Sequence, residues 1–237
     1  MRFGAVARWV APLEQLKSQA IQQTPLAAAD IRVIPLALED QWFSDPPADY
    51  AREQWRLPAD AKVVGLFGRL DPLKGQETLL RALALLENEG WHALIVGENT
   101  PNDPRDYRSE LMRLAGKLGV TDRLHWRDAT DDLHSAYDAC DAYAMCSTSE
   151  TIGMVTIEAM ARRVPVVGTD AGGTPELLGH GAFGRLFAPG DFQALAGELR
   201  AIDGCPVASD AHRMQFSKAA VLEKWDQLLA ALRPSAL

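Results

Sequence analysis

The chain has few cysteines: Cys140, Cys146 and Cys205 in 237 residues. An odd count with no C-x-x-C spacing argues against a disulfide framework or a zinc site, and free thiols in a reducing cytosol are the simple expectation. No apolar run reaches the length of a membrane span. The segment MRFGAVARWVAPLEQLK has no signal-peptide cleavage pattern before Glu14 and Lys17 interrupt it, so a cytoplasmic location is expected. Positive charge is in deficit: 24 Lys and Arg against 32 Asp and Glu give a net charge of −8. An acidic chain lacks the broad cationic surface of non-specific nucleic-acid binders. Any anionic ligand must then be held by local cations and backbone amides.

Several catalytic motifs are also missing. There is no G-x4-G-K-[ST], no G-x-G-x-x-G after a strand and no G-x-S-x-G elbow. His92, His125, His134, His180 and His212 form neither H-x-x-x-H nor H-E-x-x-H. These absences disfavour P-loop nucleotide hydrolysis, dinucleotide oxidoreduction, serine hydrolysis and zinc proteolysis.

With 47% hydrophobic and 24% charged residues, the composition is that of a folded protein with a sizeable core. A helical segment is expected over about 5–22 and a strand over 31–38, followed by a polar, proline-containing connector at 44–60. Strands and helices then alternate. Strand patterns fall at 62–67, 92–96, 123–126, 142–146, 164–167 and 186–187. Helical patterns fall at 76–88, 105–118, 132–139, 154–163, 192–202 and 216–232. Short apolar strands between helices of 10–15 residues imply βαβ units around a parallel sheet, with ligands bound in the loops after the strands.

Three such loops stand out. After 62–67 comes GRLDPLKG, in which Arg69 and Lys74 flank a proline turn between Gly68 and Gly75. A guanidinium, an ammonium and a following helix N-terminus suit phosphate oxygens; the same pair also reads as two solvated surface cations. After 142–146 comes STSETIGMVTIEAM, with Glu150 and Glu158 in E-x7-E spacing around Gly153, Met154 and Val155. The pair would be roughly 12 Å apart on a continuous helix, too far to share a proton or to act as a glycosidase acid and base. That spacing suits two carboxylates gripping hydroxyls at opposite ends of a nucleotide-diphosphate sugar, with phosphates over the amides between. Equally, Glu158 reads as an exposed helix residue and Glu150 as a helix-start residue. After 164–167 comes GTDAGGTPE, a glycine turn leading into a helix start at Thr174 and Pro175.

Taken in order, GRLDPLKGxxTLLxA, SxSETxGMVxIEAMA and PVVGTxxGGxxEL resemble the donor half of the family-4, or group 1, retaining glycosyltransferases of the GT-B fold. The likeness covers roughly 31–205. It implies an α/β fold, a Rossmann-like parallel sheet flanked by helices, as the C-terminal lobe of a GT-B enzyme whose N-terminal lobe is largely missing. Residues 1–40 would be a remnant of that acceptor lobe and linker, 41–210 the nucleotide-sugar-binding domain, and 211–237 a helix crossing back to the other lobe. The likeness gives Arg69 and Lys74 the donor diphosphate and its leaving charge, Glu150 the donor hexose and Glu158 the ribose hydroxyls. Gly68, Gly153, Met154 and Val155 would complete donor binding. Neither metal nor cofactor is implied, and the acceptor, a sugar or a lipid-linked molecule with peripheral membrane contact, stays open. The sequence departs from the family pattern at Cys146, at Leu36-Ala37-Leu38, at Asp128 and at Arg163, where glycine is usual.

Two other readings stand beside this one. One is a non-catalytic nucleotide-sugar-binding subunit that needs a separate acceptor-lobe partner. The other is a different GT-B enzyme such as an epimerase or phosphorylase.

Overall fold

A computed structural model describes residues 8–44, 50–101 and 103–232. The chain divides into two compact units, one of residues 1–43 with 209–237 and one of residues 44–208.

The smaller unit begins with β1 (Trp9–Ala11), α1 (Glu14–Gln23) and β2 (Ile31–Val33). β1 and β2 pair in parallel, with Trp9 opposite Ile31. A helix over 5–22 was expected, but Trp9-Val10 favours extended backbone and Pro12 cannot sit inside a helix. The helix therefore starts only at Glu14; residues 5–7 of that expectation lie outside the described residues. The strand expected to reach residue 38 stops at Val33, because Pro35 has no amide to donate to a ladder. Beyond it, Leu38 makes a single bridge to Ser217.

The larger unit runs α2 (Tyr50–Gln54), β3 (Lys62–Phe67), α3 (Gln76–Leu85), β4 (Trp91–Val96), α4 (Tyr107–Leu118), β5 (Leu124–Arg127) and α5 (Leu133–Asp138). It continues with β6 (Ala142–Met145), α6 (Met154–Ala161), β7 (Val166–Thr169), α7 (Thr174–Leu177), β8 (Arg185–Phe187) and α8 (Phe192–Arg200). α2 lies within the stretch read as a connector, of which residues 45–49 are outside the described residues. The chain then returns to the smaller unit through α9 (Asp210–Met214) and α10 (Lys218–Leu232). α10 buries Val221 and Leu228 against Ile34. It starts at Lys218, two residues later than expected, where the Ser217 hydroxyl accepts from the Ala220 amide.

The six strands of the larger unit form one parallel sheet in the order β5-β4-β3-β6-β7-β8. Its inner strands β4, β3, β6 and β7 are mostly apolar and buried because both faces are covered. Val64, Leu66 and Ile95 pack with Leu79, Leu83, Leu111, Leu195 and Leu199 of α3, α4 and α8. On the other face, Phe67 meets Tyr137 of α5 edge-on, with ring centroids 4.7 Å apart. Aspartates cap three of the helices: Asp106, Asp132 and Asp191 accept from the amides of Ser109, Ser135 and Ala194. Among the described residues no helix is long and apolar enough to cross a membrane.

α6 ends in a Schellman turn, with Arg163 N–H on the Met160 carbonyl and Val164 N–H on that of Ala159. Arg163 takes the left-handed position, φ 59°, which explains why glycine is the ordinary residue there.

The strand order also locates the ligand edge. The chain builds β3, β4 and β5 in one direction, then crosses to β6 and builds β7 and β8 in the other. The reversal falls between β3 and β6. In open parallel sheets the crevice beyond the strand ends at such a reversal is where ligands bind.

Candidate functional site

The loops after β3 and β6 meet at that reversal. Asp71 accepts from the Leu73 amide and sets a single 3-10 turn over Pro72–Lys74. The Thr148 amide donates to the Leu73 carbonyl at 2.8 Å, fastening the β6 loop to this turn. Gly75 is needed at the junction, because a Cβ there would sit 2.1 Å from the Cys146 carbonyl oxygen. The loop after β7 closes the group: Thr169 donates its hydroxyl to the Ser147 carbonyl at 2.6 Å, and the Gly173 amide donates to that of Glu150 at 2.9 Å.

This scaffold brings two of the expected residues into direct contact. Lys74 Nζ donates to Glu150 Oε2 at 2.6 Å, and the two side chains are 26% and 16% exposed. They line a cleft of about 280 Å³ with Thr151, Ile152, Gly153, Met154 and Val155. Gly153, at φ 74°, is the cap of α6 and offers no side-chain acceptor. The first amides of α6, those of Met154 and Val155, therefore face the cleft region without an intrahelical partner. A partly enclosed ammonium beside such amides favours an anion.

Arg69 does not join that cluster. It is exposed, its guanidinium has no partner among the described residues, and it lines a neighbouring cavity of about 270 Å³ with Gly68, Val96, Gly97, Ala129 and Leu133. That cavity lies beyond the ends of β3, β4 and β5, and most of its surface is apolar. The buried Gln76 amide donates to the Arg69 carbonyl at 2.8 Å and fixes the loop. Sequence reasoning missed this cavity. Its one legible signal was that β3 and β4 are each followed by a glycine; the two loops touch there, where a Cβ on Gly97 would stand 1.9 Å from the Gly68 carbonyl oxygen.

Glu158 lies apart from Glu150, and residues 150–153 are not helical, so the spacing of a continuous helix does not apply. Nor is Glu158 an exposed helix glutamate. It is half-buried, and the Tyr137 hydroxyl lies 2.9 Å from its Oε2 and 3.0 Å from the Val155 carbonyl. Burial pushes the Glu158 carboxyl above its ordinary value, and the hydrogen bond from Tyr137 opposes that rise. Tyr137 is fully buried and went unnoticed in the sequence, where it reads as one more apolar position of a short helix. Among the described residues no group of three or more His, Cys, Asp or Glu is arranged to hold a metal ion.

Comparison with known proteins follows the same lines. Residues 48–221 match the family described as glycosyl transferases group 1. A D-inositol 3-phosphate glycosyltransferase of Mycolicibacterium smegmatis is 35% identical over 196 residues, covering 80% of this chain and 44% of that protein. Among solved structures, Anabaena HepE in complex with UDP superposes with a TM-score of 0.87 at 30% identity, covering 96% of this chain and 64% of that one. The same protein in complex with UDP-glucose gives 0.83 at 29% over the same shares of the two chains. The chain spans about half the length of the curated relatives it matches.

Proposed function

Because the chain belongs to the group 1 glycosyl transferases, we propose that it is the donor-binding lobe of a retaining, family-4-type enzyme of the GT-B fold. It would bind a nucleoside-diphosphate sugar for transfer to an acceptor. The observation that carries this reading is the contact between Lys74 and Glu150 at the sheet reversal, beside the open amides of α6.

On this reading the diphosphate lies over the amides of Gly153, Met154 and Val155 and takes the Lys74 ammonium as its counterion. Without ligand that charge is spent on Glu150. The arriving phosphate oxygens share it and free Glu150 to accept from a hydroxyl of the donor hexose. Arg69, on the same loop as Lys74, closes the phosphate site from the side of the apolar cavity. The apolar cavity beyond β3, β4 and β5 has the size and lining for a nucleobase, and Glu158 accepts from the ribose. In transfer, negative charge grows on the leaving diphosphate. Two cations and fixed amides would stabilise that charge without reorganising, and neither a metal nor a cofactor is part of the proposal. The acceptor and the water-excluding second wall of the cleft lie outside these residues, so turnover belongs to a larger assembly.

UDP and UDP-glucose titrated into the 237-residue chain by calorimetry test the reading. Binding should be measurable, and Lys74→Ala should weaken it about tenfold or more, as expected for loss of a charge-assisted contact. No heat with UDP, GDP or ADP at millimolar ligand refutes it.

A further inference from the structure

What holds Glu158 in place is a question that rests on the reading just given. Its Oε2 is taken by the Tyr137 hydroxyl at 2.9 Å. No protein group bonds Oε1 among the described residues. The Tyr137 ring is fixed from several sides. It is fully buried, edge-on to Phe67 at 4.7 Å and tilted against Tyr143 at 5.2 Å. Phe67 ends β3 and Tyr143 lies in β6, so this aromatic group sits beneath the sheet reversal. Its hydroxyl has one proton, and the Tyr143 hydroxyl, the Val155 carbonyl and Glu158 are within reach; the Tyr143 hydroxyl carries a proton of its own. The carbonyl already accepts within α6 by ordinary helical geometry, whereas the half-buried carboxylate has no other donor. The charge-assisted bond to Glu158 is the strongest of these.

We infer that Tyr137 is a positioning residue. By occupying Oε2 of Glu158 it leaves Oε1 as the acceptor offered to the ribose diol of a nucleoside diphosphate, and it keeps that carboxyl ionised and aligned for ribose.

Tyr137 and Tyr143 are the other titratable groups facing this carboxyl, and burial pushes both phenols far above neutral pH. The terminal phosphate of either nucleotide also titrates in this range, but equally for wild type and variant, so a shift of the acid limb between them reports Glu158. The experiment is calorimetric titration of the full chain with UDP and with 2′,3′-dideoxy-UDP from pH 5 to pH 8, for wild type and Tyr137→Phe. Phenylalanine keeps the ring packing and removes only the hydroxyl. The expected result is an approximately tenfold loss for UDP, little change for the dideoxy compound, and an acid limb moved to higher pH. 3-Fluorotyrosine at position 137 keeps the hydroxyl, makes it a stronger donor and should move the limb to lower pH; it also serves if the phenylalanine variant does not fold.

Equal losses for both nucleotides, or a limb that stays in place in both variants, would overturn this inference and leave the donor reading standing. A wild type that binds the two nucleotides equally would do the same. A wild type that binds no nucleotide overturns the donor reading and this inference together.

Discussion

Replacing Gly172 with alanine separates two effects that a glycine can supply. Gly172 lies in the loop after β7 at φ +58°, and an ideal Cβ there would stand 1.9 Å from the Glu150 carbonyl oxygen. Gly190, before α8, has φ +80° with nothing within 4 Å of its ideal Cβ. Alanine pays the left-handed penalty at both positions, about 1–2 kcal/mol. At Gly172 the two loops must also part by about 1 Å to restore the 3.0 Å that real Cβ atoms require. That movement strains the hydrogen bond from the Gly173 amide to the same carbonyl, a further ~1 kcal/mol, and adds overpacking strain of ~1–3 kcal/mol.

Gly172→Ala should therefore cost roughly 3 kcal/mol or more and Gly190→Ala about 1 kcal/mol. With a urea dependence of ~1–3 kcal/mol per molar, the two midpoints should differ by about 1 M. The moving atom belongs to Glu150, so Gly172→Ala should also lose UDP affinity while Gly190→Ala keeps it. Equal midpoints for the two variants, or full UDP affinity in Gly172→Ala, would refute the claim that a close approach of backbones sets the site.

Four further outcomes are expected. Arg163→Gly should raise stability by ~1 kcal/mol in urea unfolding, since the left-handed C-cap no longer carries a side chain. Asp138→Ala should cost about 3–5 kcal/mol, because Asp138 holds Arg162 bidentately at 2.8 and 2.7 Å with both side chains almost wholly buried. Glu158→Gln should stabilise the ligand-free chain most at alkaline pH. Burial raises this carboxyl in the folded state, so its favourable contribution is complete in acid and is lost as pH rises through the folded value; melts at pH 4.5 and pH 8 measure the difference. His92 and His125, whose ring nitrogens lie 2.9 Å apart, are both lowered, first by burial and then by neighbouring Arg123 and by His92 with Arg127 respectively, against Asp60 near His92. Stability should fall as pH drops below the ordinary histidine value, and His125→Gln should flatten that fall in thermal melts.

The parallel α/β sheet was legible because its strands are buried on both faces, and runs such as KVVGLF and HALIV admit few other readings. Segments where composition misled were governed by single residues. Pro12 and Pro35 moved the boundaries of the smaller unit, and Ser217 set the start of α10. In the site, the sequence could name the charged residues of the loops but could not say which of them touch. That depends on strand order, which no local pattern records. Lys74 and Glu150 meet because β3 and β6 are neighbours, although 75 residues separate the two side chains along the chain.

Arg69 follows the same strand as Lys74, yet it turns to the cavity over β4 and β5, because the turn at Asp71 and Pro72 lies between them. Glu158 had to be read with Tyr137, a residue with no charge to attract notice. A buried phenol earns attention only when its hydroxyl partner is known. The motifs therefore name the loop residues at this sheet edge, the crowded Gly172 among them, whereas the solvent-free tyrosine bonded to Glu158 lies outside the motifs and emerges only from packing.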